Sequence, residues 1–164
     1  MNYLKIIDDH KKLHELGLDH VLQENLGSEW VVEYYHARRS GKIERIYPNA
    51  DDKDFFDFDL DDKVFIFWNY FWGNDHRDIE FQNRVQERIL SLIKQGAKIR
   101  MQLYTCYGTY SEDYYELDEY KKYFGKDIII GPVIHIMHDA NLLSDWAKRF
   151  VKSEAECFQA LSRL

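Results

Sequence analysis

The chain reads as an α/β or α+β protein, a single domain over residues 1–164 with a mixed sheet of about five to six strands and flanking helices. Three observations predict this. A hairpin pattern occupies residues 29–47, and a strand–helix–strand pattern occupies 63–107. Aromatic residues make up 16% of the 164, an excess that suits a packed core and argues against a disordered chain. Two prolines and eight glycines point to well-formed elements joined by short connections.

Taken in order, residues 2–16 place Leu4, Ile6, Ile7, Leu13 and Leu16 at a loose helical spacing that stops at Gly17, which predicts a first helix. Asp19 stands where it would cap a second short helix ending near Gly27. From Glu29 the period changes, and two β-branched and aromatic runs flank Arg-Ser-Gly-Lys as a hairpin. In FFDFDLDD, Phe56, Phe58 and Leu60 alternate with Asp57, Asp59 and Asp61, the pattern of a half-buried strand with one face in water. The run VFIFWNYFW (64–72) is apolar on both faces and reads as a central strand.

Asp75 and Asp78 form a near capping box for a helix with Ile79, Val85, Ile89, Leu92 and Ile93 along one stripe, ending at Gly96. Residues 97–107 return to a strand, and 111–124 read as a short acidic helix ending at Gly125. Gly131-Pro132 interrupts a strand over 127–137 and places it at an edge or a bulge. A C-terminal helix is expected from Asn141 or Ser144, with Leu143, Trp146, Phe150, Phe158 and Leu161 on one face and a break near Lys152.

Charge is concentrated. Residues 51–62 hold seven Asp, one Lys and three Phe, and residues 110–120 hold five acids and four Tyr. The two segments carry −11 while the whole chain carries −7, so the remaining 141 residues sum to +4. A broad nucleic-acid surface is basic, so direct nucleic-acid binding is not expected. No membrane span is expected either, because the longest apolar run falls far short of the roughly 20 residues a spanning helix needs. Two isolated cysteines and the lack of a signal-like leader point to a cytoplasmic protein.

No phosphate loop, GxGxxG turn, GxSxG elbow or CxxC pair is present, and neither a cofactor nor a bound metal is expected. The Asp57-x-Asp59-x-Asp61 row shares one strand face as a hard-cation site requires, but the glycine and glutamate of an EF-hand loop are absent. His10 and His14 are four apart on the first helix, with lysines where a metalloprotease would carry glutamate. Arg38, Arg39, Lys42 and Arg45 form a basic strip at the hairpin turn, suited to solvation or to pairing with the acidic segments.

Two functional readings follow. In the first, the protein is a small acidic inhibitor of the immunity or antitoxin type that blocks a basic protein partner, a nucleic-acid-processing protein being one candidate. Tyr110, Glu112, Asp113, Tyr114, Tyr115, Glu116, Asp118, Glu119 and Tyr120 would grip it, joined by Asp57, Asp59 and Asp61, since tyrosine offers rigid contact area and carboxylates pair with Arg and Lys. In the alternative, the protein is a small hydrolase or transferase, or a non-catalytic ligand-binding or structural domain. Cys106, His135, His138 and Asp139 are the candidate reacting groups, because Cys106 and His138-Asp139 end two predicted strands and sites gather at carboxyl ends. The sequence does not specify strand order or oligomeric state.

Overall fold

A computed structural model describes residues 1–38, 41–69, 76–105, 112–130 and 134–135. Its core is a six-stranded sheet in the order β3-β2-β1-β4-β5-β6. The strands are β1 (Asn2–Asp8), β2 (Trp30–Arg38), β3 (Lys42–Tyr47), β4 (Lys63–Asn69), β5 (Lys98–Thr105) and β6 (Ile134–His135). All neighbours are parallel except β3, which pairs antiparallel with β2 as the second arm of a hairpin. The helices are α1 (Lys12–Glu15), α2 (Leu18–Leu26), α3 (His76–Lys94) and α4 (Glu112–Phe124).

The hairpin and the parallel β4–α3–β5 unit stand where the sequence places them. Two other segments differ. Residues 2–8 form a strand, β1, at the centre of the sheet, rather than a helix. The stretch has its apolar residues on both sides of the pleat: Leu4 and Ile6 pack on one face and Ile7 on the other. Lys5 hides this by putting a charge in the middle of the run. Residues 54–62 form turns and bends rather than an alternating strand. Phe55 is the buried ring there, while Leu60 is 43% exposed. Of the strand expected over 127–137, the described residues show β6 at Ile134–His135 and an isolated bridge from Ile129 to Met101, while 131–133 and 136–137 lie outside them. Asp75 and the expected C-terminal helix lie outside the described residues.

Each face of the sheet carries its own core. Leu13, Leu18 and Leu22 of α1 and α2 cover Leu4, Ile6, Val32, Phe65 and Phe67 on one face. Phe81, Val85 and Ile89 of α3, with Leu117 and Phe124 of α4, cover Ile7, Ile66, Trp68, Ile99 and Met101 on the other. Helices on opposite faces are what right-handed crossovers require when the chain steps from β1 to β2 in one direction and from β4 to β5 to β6 in the other. Gly96 ends α3 as expected. It adopts φ +99°, a region that disfavours a side chain, and lets Ala97 N–H reach Leu92 O at 2.9 Å and Gly96 N–H reach Ile93 O at 3.0 Å.

Residues 51–58 close over a buried ion cluster on the α3 face. Lys5 and Glu33 are both fully buried, 3.0 Å apart, and Lys5 Nζ donates to Phe55 O at 2.8 Å. The rings of Tyr3, Tyr35, Phe55 and Phe58 lie 5.0–5.4 Å from that ammonium. Arg45 Nη1 donates to Glu33 Oε2 at 2.8 Å, Lys53 approaches the same oxygen at 3.2 Å, and Arg45 also pairs with Asp51. Burial pushes the Glu33 carboxyl up, but Lys5, Arg45 and Lys53 together hold it below the usual carboxylate range. Burial pushes the Lys5 ammonium down against the pull of Glu33. Part of the first acidic-aromatic segment is thus spent internally, and so is much of the basic strip, since Arg38 and Lys42 meet Glu44 at 3.1 and 3.5 Å.

Candidate functional site at the carboxyl edge

The strand order reverses direction between β1 and β4. After β1 the chain builds toward β2 and β3, and after β4 it builds toward β5 and β6. In open α/β sheets the crevice at such a switch point, outside the carboxyl ends of the strands, is where ligands bind. Here β1 ends in Asp8, followed by Asp9 and His10.

Asp8 is fully buried. Tyr104 reaches it from β5, its hydroxyl donating to Asp8 Oδ2 at 2.5 Å. The His10 backbone N–H donates to Asp8 Oδ1 at 3.3 Å, and His10 Nε2 lies 3.4 Å from the same oxygen. Lys12 N–H donates to His10 Nδ1 at 3.2 Å, so the neutral ring carries its proton on Nε2, facing Asp8. From β2, Tyr34 OH donates to His10 O at 3.1 Å and His36 Nε2 donates to Asp9 O at 3.2 Å. Asp8 and His36 sit in register on adjacent strands. Groups from three strands therefore fix one short turn.

The electrostatics are those of a crowded acid–base cluster. Asp9 is exposed as a residue, yet its carboxyl is crowded against Asp8. Partial burial, then hydrogen bonding to and repulsion from Asp8, push it up to about 7. Burial holds the His10 ring below its ordinary value against the pull of Asp9 and Glu15. Burial also lowers His36, opposed by its bond to the Asp9 carbonyl. Perturbed groups gathered in this way mark functional sites more often than chance.

Among the described residues, Asp8, Asp9 and His10 are the group of ligand-type side chains close enough to share a cation, with atoms within 4.8 Å of one another. Tyr104 and His10 already contact both Asp8 oxygens, so a cation would have to displace them. His14, the other histidine of the expected pair, points elsewhere: its Nδ1 meets buried Asp19 at 2.5 Å, beside the rings of Tyr34 and Tyr47. Asp19 is not a helix cap, since α2 starts after Gly17. His10 itself precedes α1, so the two histidines do not share a helix.

The other expected site residues fall as follows. Asp57, Asp59 and Asp61 are exposed on the loop before β4. Glu112, Asp113, Tyr114, Tyr115 and Glu116 form the first turns of α4, and Asp118 and Glu119 are exposed on it. Tyr120 turns inward. Its hydroxyl oxygen accepts from Trp68 Nε1 at 3.2 Å and from the Gln82 and Gln86 amides at 3.2 and 3.3 Å. Tyr110, Cys106, His138 and Asp139 lie outside the described residues. His135 is in β6 beside Thr105 of β5, and the two strands are parallel neighbours, as the pairing of Cys106 with His138 requires.

The sequence reading missed the Asp8–Asp9–His10 turn because it placed residues 2–16 in a helix. The available signal was an apolar run ending abruptly in two carboxylates, the form of a buried parallel strand running out at its carboxyl edge. No helix among the described residues is long and apolar enough to cross a membrane. No protein family, curated protein or solved structure matches this chain.

Proposed function

We propose that the protein binds a small polar ligand at the carboxyl edge of β1 and that Asp9 and His10 exchange protons with it. The observation that carries this reading is the fully buried Asp8 carboxylate at the switch point, held by Tyr104 and faced by His10. Burying a carboxylate is costly, and Asp8 offsets that cost with hydrogen bonds from Tyr104 and the His10 N–H. What Asp8 does is fix the neighbouring proton-bearing groups: it adds to the burial that raises Asp9 and it orients the His10 Nε2–H. A hydroxyl- or amine-bearing ligand would find at Asp9 a carboxyl close to half protonated near neutral pH.

The test is a fragment screen by amide chemical shifts, using polyols, nucleosides and small amines. Binders should shift residues 8–10, 36 and 104 together, and Asp9→Asn should weaken them at pH 7 without unfolding the chain. Binding confined to other surfaces would sink the proposal.

A second reading keeps the acidic inhibitor, and a particular observation favours it. Leu60 is 43% exposed between exposed Asp59 and Asp61, with Asp57 nearby. An apolar tip framed by carboxylates suits a basic partner with an apolar cleft. Capture from host lysate at low salt should retain one basic protein, lost when Asp57, Asp59 and Asp61 become Asn and Leu60 becomes Ser. Equal retention by that variant removes the reading.

A further inference from the structure

A cavity lies away from the carboxyl-edge turn, on the α3 face between the β2–β3 hairpin, the loop before β4 and α3. Its volume is 410 Å³, within the range of small-molecule sites. Three cations line it: Lys42 at the hairpin, and Arg84 and Arg88 on successive turns of α3. The arginines are held by rings rather than by carboxylates. The Arg88 guanidinium lies 4.2 Å from the centre of the Phe56 ring, and that of Arg84 lies 5.7 Å from Phe81. The hairpin closes on the same group, since a Cβ at Gly41 would stand 3.7 Å from Arg84 Nη2.

Asp52 and Asp54 also line the cavity, yet neither arginine forms an ion pair among the described residues. Asp54 instead accepts the Phe56 N–H at 2.9 Å, and Lys42 leans toward Glu44 at 3.5 Å. The lining therefore combines two kinds of charged group with apolar side chains that include Val85. One is the pair of guanidinium forks, which among the described residues meet no protein anion, with the Lys42 ammonium in the same lining. The other offers carboxylates that accept hydrogen bonds.

We propose that this cavity binds a phosphate monoester that also carries hydroxyl groups, a ligand of nucleotide or sugar-phosphate size. Paired arginine forks suit the tetrahedral oxygens of a phosphoryl group better than point charges do. Asp52 and Asp54 in the same lining repel a second anion and accept from hydroxyls, so the phosphate goes to the arginines and the hydroxyls to the aspartates. This site does not depend on the carboxyl-edge reading, and its variants leave Asp8, Asp9 and His10 untouched.

The experiment is calorimetric titration of the full chain with AMP, with adenosine and inorganic phosphate as the two half-ligands. AMP should bind saturably and more tightly than either half. Arg84→Gln and Arg88→Gln should each weaken AMP about tenfold, the scale of one lost charge-assisted contact. Asp52→Asn should weaken AMP while leaving inorganic phosphate unchanged or tighter. Amide shifts on adding AMP to the wild type should cluster at residues 41–42, 52–56 and 81–88, which keeps the test independent of how well the variants fold. Absence of saturable AMP binding, shifts that cluster elsewhere, or undiminished binding by the folded arginine variants would each overturn the proposal.

Discussion

At the scale of single residues, the structure spends buried charge in two places with different consequences. Lys5 and Glu33 form a closed cluster in which each charge has partners, and the cluster pins residues 51–58 to the sheet. Asp8 and Asp9 form a second, in which two carboxylates crowd one another, and it works against stability. An unfolded aspartate ionises near 3.8, whereas Asp9 in the fold holds its proton to about 7. Between those values the folded chain binds more protons than the unfolded chain, so Asp9 makes stability fall as pH rises through that window. Asp9→Asn should therefore raise the melting temperature at pH 8 and leave it nearly unchanged at pH 4. Melting curves across that range check it, and an equal effect at both ends would mean that Asp9 is not perturbed. The Lys5–Glu33 cluster is not legible in the sequence. A lysine inside an apolar run reads as an interruption, and its burial depends on Glu33, which arrives from another strand.

At the scale of elements, α4 shows how composition and placement part company. Its sequence reads as an acidic-aromatic face for a partner, and Asp118 and Glu119 are indeed exposed. Leu117 and Phe124 nevertheless bury against the sheet, and Tyr120 follows them inward. One hydroxyl oxygen has two lone pairs, so the three donors around Tyr120 share it rather than each making a full bond. The ring thereby ties α4 to β4 through Trp68 and to α3 through the two glutamines. Tyr120→Phe should destabilise the fold by about 1–2 kcal/mol by removing an acceptor from part-buried donors. Urea unfolding measures this, and a change below about 0.3 kcal/mol would show that the hydroxyl does not tie the elements together. The α3 stripe, by contrast, was legible: Val85 and Ile89 bury where their spacing says, and Phe81 joins them. A helix that long repeats its pattern often enough to outweigh single exceptions.

At the scale of the whole molecule, the sheet is stable from its middle outward. β1 and β4 have neighbours on both sides and cores on both faces, whereas β3 has one strand neighbour among the described residues and is at most half buried. Native-state hydrogen exchange should be slowest in β1 and β4 and markedly faster in β3. Protection of β3 equal to that of β1 would contradict this order. The same topology places the switch point beside β1, so the most protected strand is also the one that ends in the candidate site. A rigid strand end is a good mount for groups whose geometry must be held.

The sequence by itself determined the class of the fold, the hairpin, the β4–α3–β5 unit, the glycine that ends α3 and the helical character of residues 112–124. Those features rest on local chemistry: the period of apolar residues, turn residues and a positive φ that glycine supplies. Only the tertiary structure decided that residues 2–8 are a central strand and that residues 54–62 form turns and bends rather than a strand. It also decided that Tyr120 faces inward, that Tyr104 reaches Asp8 and that His36 reaches the Asp9 carbonyl. Each of these is settled by a partner distant in the chain, and a local pattern cannot report which face of the sheet that partner covers.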